Sequence, residues 1–496
     1  MTAPVAGGRL HCMFSFAPGG GVFIRCFAVF VAALFAALPV GADTAPHERR
    51  TPESSGAPAA RSGEAMNGPA LLLRLAAAMA CSTALLSGCG GSDDAAASAP
   101  VAIDAGTPNT ISRWNEAAAA TINQANATSG TPEETNSQYA FDLATVHVAM
   151  YDAVVAIAGG YQPFYVMPHA HTEGASQDAA AAAAAYGVLK GLFPSRSATY
   201  QALYDSSLAA VADPAARDQG VAVGAEVASA VLSIRANDGR NTALPAFVAG
   251  TGPGQFRGPA LVGRTWPYVR PFALLYAGQF RAPGAPALTS AAYAADFNET
   301  KALGGAVSTT RTAAQATSAR FHSEAPGVFW SRNLRPFLMT NRSLADNARV
   351  GAQLWVTHAD ATIACMESKY ALLAWRPFSA INFADTDGNA ATDADPAWKP
   401  FLPTPPHPEY PAAHGCAGGS MAETFKVLFG TSDVSFDFTS NVTSSSQHYA
   451  TPQDLLDDIT IARIAGGMHF RFSIVDGEAL GKSVADYVSQ AKFKPR

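Results

Sequence analysis

Lys369 and Arg376 stand seven positions apart in 361–376, a helix-prone run that Pro377 stops. At 3.6 residues per turn seven residues make nearly two turns, so both cations fall on one face near a helix end. They could share one anion, or sit solvated at the surface as most Lys and Arg do. Further on, Pro405-Pro406-His407-Pro408-Glu409-Tyr410-Pro411 leads through Ala412 and Ala413 into His414 and the small-residue stretch 415–425. The prolines fix an extended approach, and the small residues let a tightly packed helix begin near His414. Free backbone N–H groups and an imidazole would then face one spot, as an anion cradle or simply as a loop packed on its own helix. A third segment opens at Thr451-Pro452-Gln453-Asp454, reading as N-cap, N1 proline and acidic first turn, and carries Arg463, Gly466, Gly467 and His469. Two glycines inside a helix cost about 1 kcal/mol each relative to Ala, so another backbone is expected to approach closely there.

The elements that must position these groups read as helices. Alanine-rich stretches with Leu, Val and Tyr at three- and four-residue steps cover 176–193 and 197–235, broken at Pro194 and Pro214. Thr131-Pro132-Glu133-Glu134 has the pattern of a helix start leading to Phe141, Val148 and Tyr151. Helical character fades over 238–289, where Gly and Pro are dense, and returns at 290–303, 311–321 and 345–355. The expected class is all-α: an N-terminal helical region at 111–289, with its irregular connection, packed on a C-terminal region at 290–496 that carries the anion site.

Taken together, Lys369-(six residues)-Arg376-Pro377, Pro411-Ala412-Ala413-His414 and Ala462-Arg463-(five residues)-His469 closely resemble the three-part motif of the vanadium-dependent haloperoxidases and the related type-2 phosphatidic acid phosphatase superfamily. Order and spacing both fit. Weaker resemblance, including 147–153 and 308–312, extends it over about 110–492.

The resemblance implies a helical-bundle fold with vanadate held in the C-terminal bundle. Lys369, Arg376, Arg463 and the N–H of Ala413 would bind the oxyanion, His469 would ligate the metal, and His414 would be the general acid/base. Lys369 would draw electron density from a peroxide oxygen so that a halide can attack, giving hypohalous acid. His407 occupies a place where some algal bromoperoxidases have His and fungal chloroperoxidases have Phe, which favours bromide or iodide over chloride. Partners would be hydrogen peroxide, halide and a small organic acceptor. In an acid phosphatase the same residues would need no metal: phosphate would be the substrate group, and His469 would carry a phosphohistidine. A non-catalytic anion-binding envelope protein is the third reading. The chain departs from the family at Ala412, where a hydroxyl donor is usual, at Ala462, and at Ser473, where an Asp commonly orients the last histidine; Asp476 is the substitute candidate.

Before this body come two export-like cassettes. Residues 1–65 hold an apolar run after Arg25 and read as an upstream extension or redundant signal, with Met66 as the expected start. Residues 66–89 read as a lipoprotein signal peptide ending in Leu86-Ser87-Gly88-Cys89, with Cys89 lipidated, and 90–110 as a flexible tether. Both apolar runs fall short of the ~20 residues a membrane-crossing helix needs. The expected location is the bacterial cell envelope, facing the periplasm and attached through lipid only. Processing leaves Cys365 and Cys416, which could pair in an oxidising compartment or stay free and buried. A pair would tie together two walls of the anion site. With 33 Lys+Arg against 39 Asp+Glu, a net charge of −6, the 496-residue chain is a poor nucleic-acid binder. Assembly, homo-oligomers included, is left open by the sequence.

Overall fold

The computed structural model describes residues 101–103, 106–128, 138–259 and 262–496. The export cassettes, Cys89 and the Thr131–Glu134 helix start lie outside them. Helices α1 (Thr110–Thr128), α2 (Tyr139–Ala158), α3 (Gln177–Leu192), α4 (Ala198–Ala209) and α5 (Pro214–Arg235) come first. Ser176 and Asp213 cap α3 and α5 through their side chains, and Pro214 is the first residue of α5, so the predicted breaks fall where capping chemistry puts them. The alanine-rich face of α3 packs along α5.

Then follow α6 (Ala291–Gly304), α7 (Ala313–Phe321), α8 (Pro326–Asn333), α9 (Leu344–Leu372), α10 (Pro377–Asn382), α11 (Ala413–Phe429), α12 (Pro452–Ala465) and α13 (Arg471–Ala491). A small sheet joins them: β1 (Val101–Ala102) runs parallel to β2 (Val434–Ser440), which pairs antiparallel with β3 (Ser445–Tyr449). The tether therefore ends earlier than expected, because Val101 and Ala102 are hydrogen-bonded to the edge of β2.

Two long helices, α2 and α9, pack together at the centre. α2 is apolar on all sides and long enough to cross a membrane by length and composition, yet its apolar window is 89% buried inside the protein, as a core helix is. One apolar cluster runs from Trp114 and Val154 through Trp355 to Phe425 and Val484, so the N- and C-terminal stretches share a core.

The Gly/Pro-rich connection is irregular, with a short 3-10 turn at Trp266–Tyr268. It is pinned to α9 by Asp360, whose carboxylate accepts the N–H groups of Phe272, Ala273 and Leu274 at 2.7, 2.7 and 2.9 Å. Three backbone donors are satisfied this way, and Trp266 in the same connection lines the cavity described below.

Candidate oxyanion site

Each cationic or imidazole group comes from the end of an element or from the turn beside it. Lys369 lies in the last turn of α9, which Leu373 ends in a left-handed conformation at φ 48. Arg376 is not on that helix, as the spacing predicted; it is the N-cap of α10, in extended backbone, and reaches the site from the connecting turn. α12 likewise stops at Ala465, before the glycine pair. Gly466 caps it and Gly467 turns the chain at φ +74, where a Cβ would collide with the carbonyl of Gly304. The expected close approach is there, but as a helix stop that delivers His469 just ahead of α13. α11 begins at Ala413 with no side-chain cap from Ala412, so its first N–H groups lack the usual partner beside His414. Glycines seat it: a Cβ on Gly415 or Gly419 would strike the backbone carbonyl of Ile474 or Glu478 on α13.

Hydrogen bonds chain the groups together. The Nζ of Lys369 donates to the carbonyls of Pro408 and Glu409, both at 2.9 Å. Arg376 donates from Nε to the His407 carbonyl (2.9 Å), from Nη1 to the Met468 carbonyl (2.9 Å) and to Nε2 of His469 (3.1 Å), and from Nη2 to Nδ1 of His407 (3.0 Å). The other nitrogen of His469, Nδ1, donates to Oε1 of Glu409 at 2.9 Å. Arg463 and His414 meet at one acceptor, the carbonyl of His322, at 3.2 Å from Nη1 and 3.1 Å from Nε2. Arg463 also contacts the sulfur of Met468, while its Nε, buried, has no hydrogen-bond partner among the described residues.

Lys369, Arg376, Arg463 and His469 are at most 2% exposed, and Glu409 is the carboxylate in their midst. Burial, reinforced by Arg376 and Arg463 over the opposing pull of Glu409, holds the Lys369 ammonium well below the usual lysine range. Burial brings Arg376 down to about 10 and, with Arg376 beside it, Arg463 to about 9. His407, His414 and His469 are all held well below the ordinary imidazole value, by burial first and the neighbouring cations second. Glu409 is pushed up to about 7 by burial, against the pull of Arg376 and Lys369. Three buried cations against one carboxylate is an electrostatic deficit that a multiply charged anion would offset.

Cys365 and Cys416 form a disulfide with Cα atoms 6.2 Å apart. It ties α9, four residues before Lys369, to α11, two after His414. Asp476 does not orient His469: its carboxylate accepts from the Tyr410 hydroxyl at 2.6 Å. Ser473 instead uses its carbonyl, accepting the Ala412 N–H at 2.9 Å at the threshold of α11. The orienting carboxylate is Glu409, which sequence reasoning passed over; an acid within a proline-rich apolar stretch five residues before His414 was its only signal. His322 was missed as well, having no spacing relation to the three segments.

A cavity of about 460 Å³ opens onto His407, Ala413, His414, Arg463 and His469. Residues 350–494, which supply every one of these groups, match the family model of the VCPO second helical-bundle domain. That segment is the vanadium haloperoxidase-type part of the chain. Its fold agrees with that family. It is similar to the first bacterial vanadium-dependent iodoperoxidase at 22% identity and TM-score 0.61, covering 79% of this chain and 99% of that one. The holo form of a bacterial vanadium-dependent chloroperoxidase matches at 15% identity and TM-score 0.57, over 78% and 98% of the two chains. The apo form gives 16%, TM-score 0.56, 73% and 93%. No curated protein sequence matches the chain. The family model covers residues 350–494 alone, and the likeness in fold to the solved structures reaches over most of the chain.

Proposed function

We propose that the chain is a vanadate-dependent haloperoxidase-like enzyme that oxidises halide, bromide or iodide in preference, with hydrogen peroxide to hypohalous acid. The observation that carries this reading is the burial of Lys369, Arg376 and Arg463 around an imidazole whose Nδ1 faces Glu409 and whose Nε2 faces the donor Arg376.

The residues fit vanadate. Glu409 accepts a hydrogen bond from Nδ1–H of His469, which leaves Nε2 as a lone-pair donor suited to a metal. Arg376 and Arg463 would neutralise the oxyanion's oxygens, with the partnerless Nε of Arg463 available for one of them. The first N–H groups of α11, at Ala413 and beyond, would add dipolar donors. Bound vanadate supplies a Lewis-acidic centre that activates peroxide towards halide.

The net reaction, peroxide plus halide plus one proton giving hypohalous acid and water, consumes a proton. His414 borders the cavity and would deliver it. Lys369, fixed by two carbonyls, would hold its ammonium against the reacting oxygen. His407, held to Arg376, would shape the halide subsite. We also infer export and lipid attachment at Cys89, on its sequence pattern alone; palmitate labelling lost in Cys89→Ala would test it.

The test of function is direct. Purified protein incubated with orthovanadate should halogenate a phenol-type dye with peroxide and bromide or iodide. Phosphate release from a chromogenic ester by the metal-free protein, with halogenation absent, would reverse the reading to an acid phosphatase using His469 as nucleophile.

A further inference from the structure

The cavity is far larger than the anion needs. A five-atom oxyanion fills about 150 Å³ at roughly 30 Å³ per water-sized group, about a third of the 460 Å³ present. Most of the remaining wall is aromatic or apolar, with Tyr139, Trp266, Trp330, Met366, Pro405 and Pro406 in it. Tyr139 is locked in place, its hydroxyl 2.6 Å from Nε2 of His358. Gln138, Ser323, Glu324 and Thr362 interrupt this wall, and so does an imidazole. His322 borders the same cavity, and its Nε2–H is donated to Oδ2 of Asp458 at 2.7 Å. Ser318 and Tyr449 hold that carboxylate at 2.6 and 2.8 Å. The ring's Nδ1 has no hydrogen-bond partner among the described residues and, in the neutral imidazole, is an acceptor.

We propose that this cavity binds a phenol beside the oxyanion cradle: the ring lies against the aromatic wall and the hydroxyl donates to Nδ1 of His322. Resting on the haloperoxidase reading, this makes an electron-rich arene the organic acceptor. A largely apolar pocket of this size with a few polar groups is the common form of a small-molecule site, and flat rings gain from Trp and Tyr neighbours. Withdrawal of the phenolic proton towards His322 enriches the ring carbons. A ring carbon then attacks the halogen of hypohalous acid: the C–X bond forms, the O–X bond breaks, and the departing hydroxide takes the ring proton as water.

The test uses metal-free protein, with 2-naphthol and 2-methoxynaphthalene as calorimetric probes. The wild type should bind 2-naphthol more tightly than the methyl ether. Thr362→Trp, which fills the cavity from α9, should weaken 2-naphthol at least tenfold while leaving orthovanadate affinity within twofold; Val262→Trp, at a 38% exposed position on the wall, is the second blocking variant. His322→Phe, which keeps the backbone carbonyl that serves His414 and Arg463, should weaken 2-naphthol about fivefold and erase its advantage over the ether. Absence of 2-naphthol binding, or binding unchanged in the folded blocking variants, overturns the proposal. Because no turnover is measured, 2-naphthol binding without halogenation would count against the haloperoxidase reading and leave the pocket standing.

Discussion

Oε1 of Glu409 lies 2.9 Å from Nδ1 of His469, with both side chains 1% exposed. This contact favours the proton on Nδ1, and so leaves Nε2 as the ligand in the proposed vanadate site. Glu409→Ala should therefore weaken orthovanadate binding by about 10- to 100-fold, the range typical of lost outer partners of metal-ligating histidines. Calorimetry with the folded variant checks this, and an unchanged affinity would show that His469 is oriented by something else.

Lys369 is anchored by two carbonyls rather than by the anion's main binding groups. Lys369→Ala should hold orthovanadate within about tenfold of wild type, a loss of roughly 1.4 kcal/mol, while halide oxidation falls much further. Steady-state kinetics at saturating vanadate separates the two; parallel losses in binding and rate would make Lys369 a simple anion ligand.

The free site holds Lys369 and His414 below their ordinary values, whereas a bound dianion would favour their protonated forms. Binding must then take up protons, and affinity must fall as pH rises. Sulfate, a dianion throughout, isolates the protein's part: its affinity should drop by up to about tenfold per pH unit for each proton taken up. Flat sulfate affinity between about pH 6 and 9 would mean these groups keep their charge when the site is free.

The Cys365–Cys416 bridge spans 51 residues of sequence and joins the walls that hold Lys369 and His414. Chain-entropy reasoning gives about 4 kcal/mol for a loop of that length. The Cys365→Ser/Cys416→Ser double variant should lose stability of that order in urea unfolding and bind sulfate more weakly. A variant as stable as wild type would leave the bridge without a structural role.

Sequence patterning located most of the site because charged residues at helix ends leave strong local marks. Thr451, Pro452 and Asp454 mark the start of α12, and Pro377 opens α10 beside Arg376. It misjudged what spacing alone cannot carry. Lys369 and Arg376 looked helix-bound together, yet the left-handed turn at Leu373 separates them, and nothing in a leucine announces positive φ. Gly467 looked like a glycine inside a helix and is a helix stop, since only tertiary contact with Gly304 decides between the two. Glu409 and His322 escaped notice because each serves the site through partners far away in sequence. The pairing of Val101 with Val434 was hidden for the same reason.

The most direct measurement is an orthovanadate titration of the metal-free wild type and of His469→Ala, followed by calorimetry. The wild type should bind one vanadate per chain and the variant should lose that binding, while circular dichroism shows both folded. Equal binding by the two proteins, or none by the wild type, would contradict the claim that these buried cations and this imidazole were assembled around a vanadium oxyanion.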